Sequence, residues 1–330
     1  MILIISSNND VTTNEVIDWL RFYNSDFIRI DSTKLISIQK AIINVDSTEL
    51  YFEIDGTDLK LSQITSIWYR RSWINFKRNK YTNEALLNSE FENQIENQLI
   101  EENFYLSQFL LSEFKKKSLN DISDTRHNKL GALAYAKKIG LMIPSTIIAT
   151  AKKDVIKFKA TNSNIITKNF SPGVFIILDG SSMNGYTTEL SDQEINDLPD
   201  CFFPMLFQQK IEKAFELRIF YLNNQFYTSA IFSQNDDQTK VDFRNYNVNL
   251  PNRTPTYELP INIKELLKTF MKYFSLNSGS IDMIVTNEGE YIFLEVNPIG
   301  QIAQVSIPCN YYLQHEIAKS LIKNIHEREN

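Results

Sequence analysis

Two cysteines and three histidines in 330 residues remove several kinds of chemistry at once. Cys201 and Cys309 are too few for a disulfide framework or a thiolate metal cage, which suits a reducing cytoplasm. His127, His315 and His326 are scattered and show no ligand spacing. No Gly-x-Ser-x-Gly sequence and no Cys–His pair supplies a protein nucleophile. An excess of positive charge is missing too. With 34 basic and 40 acidic residues the formal charge is -6, which speaks against nucleic acid as a partner, because phosphate backbones are bound by basic surfaces. Long apolar runs are also lacking: the opening MILIISSNND has no basic segment, and its apolar stretch is too short for a signal peptide or a membrane span. A soluble, cytoplasmic protein without membrane or nucleic-acid partners is expected. No internal repeat or low-complexity linker interrupts the chain, and 43% hydrophobic residues over this length can bury the cores of two or three lobes.

What the sequence does have is a concentrated acidic motif near its end. Residues 280–286 and 290–296 are short apolar runs parted by Asn287, Glu288 and Gly289, the pattern of a β-hairpin. Asp282 is the one charge in the first run, and alternation puts Glu295 and Asn297 on a common face of the second. Two carboxylates and an amide oxygen converging from a sheet repel one another unless a cation sits between them. Magnesium, a hard ion that takes oxygen ligands and shares its shell with phosphates, fits that set. The plainer alternative is a strand bearing solvent-facing acids.

The opening 1–30 reads as strand, helix, strand, with Thr12 or Thr13 as helix cap and Val16, Ile17, Trp19 and Leu20 as its apolar face. Two further strands at 38–45 and 50–54 precede a strand at 64–69 that runs into Arg70 and Arg71. Adjacent arginines at a strand end point to opposite faces, so one can be structural while the other receives a carboxylate or phosphate in its guanidinium fork. Residues 83–117 are helical in pattern, with a break expected near Asn103 where the apolar period drifts. A helix capped by Asp124 or Thr125 carries Lys129 and stops at Gly140; a strand at 165–168 ends in Lys168. The strand 203–211 is followed by one containing Glu216 and Arg218, hairpinned across Asn223 and Asn224 to 225–232. An arginine in a central strand is costly to bury unpaired, so Arg218 is expected to face a cleft, with Arg244 a second candidate there and Arg253 a weaker one. An amphipathic helix at 263–273 leads into the acidic hairpin, and a helix at 310–326 closes the chain.

The order Lys129, Lys168, then Asp282, Glu295 and Asn297 ahead of Pro298 resembles the ATP-grasp superfamily. Trp68 through Arg71, Lys210 through Lys213 with Glu216 and Arg218, Asp242 through Arg244, and Phe293 through Gln301 narrow it: together they are most similar to the graspetide maturases, the microviridin-type peptide ligases, in their grasp-with-spasm branch. The resemblance spans nearly the whole chain; each motif is short, and their joint order is what is specific. It implies an α/β, ATP-grasp fold with an N-terminal α/β (pre-ATP-grasp) domain at 1–118, a central lobe at 119–211, and a C-terminal lobe at 212–330 with an antiparallel sheet. It implies ATP and Mg2+ as cofactors, with Asp282, Glu295 and Asn297 on the metal and Lys129 and Lys168 on the phosphates. Gln209, Lys210 and Ile211 would meet adenine and Glu212 the ribose. Arg218 and Arg244 would act on the reacting groups, and Arg70, Arg71 and Lys213 on the substrate. The implied partner is a ribosomal precursor peptide with a leader and a core rich in Thr, Ser or Lys and in Asp or Glu, whose activated side-chain carboxylates close onto hydroxyls or amines as macrocyclic esters or amides. A homodimer is carried as an expectation. The loop 169–185 holds only Gly173, Gly180 and Gly185, a departure from the glycine-dense phosphate loop of many superfamily members. Two rival readings share the nucleotide residues: a ligase for free amino acids or a protein terminus, and a non-catalytic ATP-binding scaffold.

Overall fold

The computed structural model describes residues 1–70, 72–77, 92–120, 128–169, 175–178, 181–184, 187–234, 247, 249 and 251–323. Among them, in chain order, are β1 (Ile2–Ile5), α1 (Val11–Phe22), β2 (Phe27–Ile30), β3 (Leu35–Ile43), β4 (Thr48–Ile54), β5 (Thr57–Lys60), β6 (Ser66–Tyr69), β7 (Asn75–Phe76) and α2 (Glu92–Lys115). There follow α3 (Lys129–Lys138), β8 (Thr146–Ala151), α4 (Lys152–Thr161), β9 (Ile165–Lys168), β10 (Phe175–Leu178), β11 (Ser181–Asn184), β12 (Thr188–Glu189), α5 (Asp192–Asn196) and β13 (Cys201–Gln209). The last elements are β14 (Phe215–Leu222), β15 (Gln225–Ile231), α6 (Ile261–Tyr273), β16 (Ser278–Val285), β17 (Tyr291–Asn297), α7 (Ala303–Cys309) and α8 (Leu313–Ile322). The chain forms two compact units, Met1–Thr125 with Tyr312–Asn330, and Arg126–Tyr311.

In the first unit β1 lies between β2 and β6 in a parallel sheet. Every residue of β1 is buried, as a strand covered on both faces requires, and this explains its unbroken apolar run. A second sheet, ordered β5-β4-β3-β7, shares a core with the first through Phe52, Leu50 and Ile36. Asp10, not Thr12 or Thr13, caps α1: its carboxylate accepts the Thr13 N–H at 2.8 Å and the Thr13 hydroxyl at 2.9 Å. Helix α2 runs without interruption through Asn103. The drift in its apolar period marks a change of burial instead, because Phe104, Tyr105 and Leu106 are exposed while Leu110 and Phe114 are fully buried in the core. Residues 312–330, expected with the C-terminal lobe, belong to this unit. The apolar positions Leu313, Ile317 and Leu321 of α8 are buried, and Gln314 donates to Glu15 of α1 at 2.8 Å while His315 packs 4.5 Å from the Trp19 ring.

The second unit holds two antiparallel sheets of four strands, β12-β9-β13-β8 and β15-β14-β16-β17. The smaller core under the first consists of Ala149, Val155, Ile165, Ile195 and Phe207. The larger core lies on one face of the other sheet, where Leu217, Ile219, Ile281, Met283 and Phe293 meet Leu133 of α3 and Leu267 and Phe270 of α6. Burying those side chains, at about 1.5–3 kcal/mol each, fixes the sheet's register and so decides which residues occupy the opposite face. Helix α3 begins at Lys129 with Asn128 as its cap, the amide oxygen accepting from Leu130 and Gly131; Asp124 and Thr125 lie outside the described residues. The β14–β15 turn is made by Asn223 and Asn224, both at positive φ (44° and 67°), as a tight hairpin demands. The final α6–β16–β17 arrangement follows the sequence pattern, whereas the short helix α7 has no counterpart in it.

Candidate active site

Strand pairing builds the site. Arg218 of β14 stands directly opposite Asp282 of β16, which stands opposite Glu295 of β17; Ser280 pairs likewise with Asn297. Directly opposed residues share a face, so Arg218, Asp282, Glu295, Ser280 and Asn297 all occupy the face away from the large core. A bulge between Asp282 and Met283 shifts the β16–β17 register by one residue, which lets the Asp282–Glu295 pair coexist with the Met283–Phe293 pair that faces the core.

Each carboxylate has its own cation. One terminal nitrogen of Arg218 donates to both oxygens of Asp282, at 2.7 and 2.9 Å, and Arg218 is only 6% exposed. Lys129, at the first position of α3, reaches across to Glu295 at 2.8 Å. The charges of a buried sheet face are thereby balanced, as burial requires. The Nε of Arg218 is itself buried and, among the described residues, has no hydrogen-bond partner.

The turn after β17 keeps Asn297 at the rim. Its side-chain oxygen accepts the Ile299 N–H at 3.1 Å and its carbonyl accepts Gly300 N–H at 3.1 Å, leaving one amide lone pair to spare. Gly300 is required by packing: a Cβ there would lie 2.0 Å from the Ser280 hydroxyl. Among the described residues no group of three His, Cys, Asp or Glu side chains could hold a metal ion, so a metal here would rest on two carboxylates and the Asn297 amide. Those donors are all hard oxygens on one side of the sheet and fit magnesium.

The segment expected to meet the nucleotide lies on the other sheet. Lys168 ends β9 aligned with Leu206 of β13, placing it on the face opposite the small core. The N–H groups of Gln209 and Lys210 are taken by the carbonyls of Ser145 and Asn164, at 2.8 and 2.9 Å. Sequence reasoning offered backbone groups of residues 209–211 to adenine; these two bonds occupy the N–H groups of Gln209 and Lys210 and involve neither those residues' carbonyls nor the Ile211 N–H. The Lys210 ammonium pairs with Glu189 at 2.8 Å, and exposed Glu212 lies 3.8 Å from it. Lys213, expected at the substrate, is buried and pairs with Glu216, which alternation along β14 places on the same face as Arg218. Arg70, also expected at the substrate, is 4% exposed and lies 3.7 Å from Asp10 inside the first unit. Arg71 and Arg244 fall outside the described residues. Arg253 is exposed, with its guanidinium 5.3 Å from the Phe232 ring.

The chain is similar over 97% of its length, at 26% identity and a TM-score of 0.73, to macrocyclase MdnC bound with precursor peptide MdnA from Microcystis aeruginosa MRC, covering 99% of that chain. The chain has the fold of the ATP-grasp macrocyclases. A RiPP-associated ATP-grasp ligase from Chryseobacterium gregarium, in complex with ADP and a leader and core peptide, matches at 24% identity and a TM-score of 0.74 over 97% of this chain and 94% of that one. ATP-grasp ligase PsnB, complexed with a phosphomimetic variant of a minimal precursor, Mg and ADP, matches at 15% identity and a TM-score of 0.67 over 100% and 98%. No protein-family model and no curated protein sequence matches the chain. The resemblance read from the motif order, the ATP-grasp fold and the class of ATP-dependent ligase are borne out by these likenesses.

Sequence reasoning did not find the Lys129–Glu295 pair, since it joins positions far apart in the chain. Nor did it single out Gln208, which adjoins the expected adenine segment and is wholly buried.

Proposed function

We propose that this chain is an ATP-dependent macrocyclase of the graspetide kind, acting on a ribosomally made precursor peptide. The observation that carries this reading is the cross-strand set Arg218, Asp282 and Glu295, with Lys129 on Glu295. It puts cations and hard oxygen donors on one sheet face, in a fold shared with a peptide-bound macrocyclase. Lys129 and Lys168 would hold the α- and β-phosphates, and the segment Gln209 to Glu212 the adenosine. Magnesium, held by Asp282, Glu295 and Asn297, would neutralise charge on the phosphate oxygens. Arg218 would use its Nε on the transferred phosphoryl group, with Arg244 proposed beside it. The peptide's Asp or Glu carboxylate attacks the γ-phosphorus and ADP leaves. A Thr, Ser or Lys side chain of the same peptide then attacks the acyl carbon, losing its proton as phosphate departs. The net change in the peptide is the loss of one water for each ring. Arg71 is proposed as a peptide contact.

The test is the intact mass of a candidate precursor incubated with the protein, ATP and magnesium, beside a Glu295→Gln control. Loss of 18 Da, or about that per ring, absent from the control, is the expected result. ADP release with unchanged peptide mass would move the reading to a ligase for another carboxylate, and absence of ADP would leave only a nucleotide-binding scaffold.

A further inference from the structure

Three sheet edges of the molecule are met by a neighbouring stretch of chain. Ser118 bridges to Ile67 on β6, Met142 to Ile292 on β17, and Thr256 and Arg253 to Ser229 and Phe232 beside β15. The edge formed by β8 has no such cover among the described residues: the strand pairs with β13 alone, at the end of the order β12-β9-β13-β8. Ser145 accepts the Gln209 N–H, and in an antiparallel ladder the bonded pairs recur at every second residue. Ile147 and Ala149 therefore bond to β13, while Thr146 and Ile148 turn their N–H and C=O groups outward. Natural edges are guarded by proline, charge or a short strand. The β8 sequence Thr-Ile-Ile-Ala-Thr-Ala contains neither proline nor charge, and Ile148 is 40% exposed.

Helix α4 walls a groove along this edge. The groove, of about 380 Å³, is lined by residues 147–150 of β8 and by Asp154, Lys157 and Phe158 of α4. Its charge decides what it takes. Of the four lysines of α4, Lys152 lies 4.0 Å from Asp200 and Lys159 lies 3.6 Å from Asp192. Lys153 and Lys157 are exposed, stand one turn apart, and make no ion pair among the described residues. Asp154 is the one acid of the helix and sits in its first turn, where the helix dipole takes up its charge. In a chain of formal charge -6, this edge is left with positive charge to spare. A second copy paired along β8 would set its own α4 lysines beside the first set, so the face repels its like and suits an anionic strand.

Resting on the precursor reading above, we propose that the β8 edge is a second peptide-docking site, on a different sheet from Arg218, Asp282 and Glu295, and that it takes an acidic, Thr-bearing stretch of the precursor core as an added strand. The stretch bonds through its backbone to Thr146 and Ile148, packs β-branched side chains on Ile148 and Phe158, and sets a carboxylate against Lys157. Strand addition draws its affinity from the main chain and its selectivity from alternate side chains, so the site holds an extended core without reading one fixed sequence.

The experiment is fluorescence anisotropy of a short labelled peptide alternating Thr and Glu, titrated with the full chain in the absence of nucleotide. Three further peptides need no change in the protein: the same sequence N-methylated at every Thr, the same N-methylated at every Glu, and one with Lys in place of Glu. One of the two methylated forms should bind about tenfold or more weakly, the scale of two lost hydrogen bonds, while the other keeps most of the affinity, because only one edge of the added strand faces β8. The Lys peptide should not bind. Lys157→Glu should weaken the Thr/Glu peptide by about threefold or more at low salt and leave the unfolding midpoint where it was. Undiminished binding of both methylated forms would overturn strand addition, and an unchanged affinity in Lys157→Glu would overturn the place. Absence of binding by the Thr/Glu peptide would overturn the inference as well. The mass assay on the same protein then judges the precursor reading separately: water loss from the precursor without docking at β8 leaves that reading intact.

Discussion

Each unit contains an aspartate–arginine pair at a strand end or centre, and the two pairs are built for different work. In the first unit Asp10 spends its carboxylate on the Thr13 N–H and hydroxyl at the start of α1, and Arg70 lies 3.7 Å away, beyond hydrogen-bond distance at that atom. In the second, both oxygens of Asp282 accept from one Arg218 nitrogen, at 2.7 and 2.9 Å. A carboxylate that caps a helix is committed to the fold. One whose charge is balanced within a row in which Arg218 and Lys129 flank Asp282 and Glu295 is set up to exchange partners with the phosphate and metal proposed above. Burial alone does not separate the two arginines, since Arg70 is 4% and Arg218 6% exposed. Partner geometry does.

The largest effect should come from breaking the second pair. Asp282→Ala leaves a buried guanidinium uncompensated, which costs about 3–5 kcal/mol of stability, and removes a proposed metal ligand. Crosslinking should vanish and the unfolding midpoint should drop in a denaturant titration. Asp282→Asn should restore much of the stability, through a neutral hydrogen bond to Arg218, and none of the activity. If Asp282→Asn turned over peptide normally, the contrast between the two pairs would fail. Breaking the first pair should do less. Asp10→Ala removes a helix cap, worth about 0.5–2 kcal/mol, and Asp10→Asn or Asp10→Ser should recover most of it. With either replacement, turnover per folded molecule should stay near that of the unaltered chain; a collapse of turnover in the stable Asp10→Asn variant would give the first pair a share in the chemistry.

How far the sequence could be read follows the same division. The acidic hairpin was legible because apolar alternation is dictated by one large core: Ile281, Met283, Phe293 and Val296 had to face α3 and α6, so Asp282 and Glu295 had to face away. Arg218 is buried and paired with Asp282 on the sheet face away from the large core. Long-range partnership was not legible. Nothing near Lys213 in sequence says that it is buried against Glu216, and nothing near Arg70 says that Asp10 lies within reach; both partnerships are set by tertiary packing. The α8 assignment failed for a similar reason. Its apolar stripe was plain, but an amphipathic helix does not state which surface it covers, and α1 lies some 300 residues away along the chain, as the bond from Gln314 to Glu15 shows.

Titration offers the gentlest way to sharpen the comparison, through one shifted group in each unit. In the first unit the Asp31 carboxyl is held below its ordinary value by the Thr33 hydroxyl and then the Thr33 N–H, bonds of 2.5 and 2.9 Å. A depressed carboxyl favours the folded state above its unfolded pKa, so this contribution is present at neutral pH and is lost as pH falls below about 4. In the second unit the Tyr291 hydroxyl, on the strand that carries Glu295, is pushed up to about 12, first by burial and then by its hydrogen bond with Tyr257. A raised phenol favours the folded state below its unfolded pKa near 10, and that contribution is lost between there and about 12. Asp31→Asn should therefore flatten the acid limb of a stability–pH profile and leave the alkaline limb alone, while Tyr291→Phe should do the reverse. Chemical denaturation of both variants across the pH range measures this directly. If Tyr291→Phe left the slope between pH 10 and about 12 unchanged, the phenol pair with Tyr257 would not be a linked site.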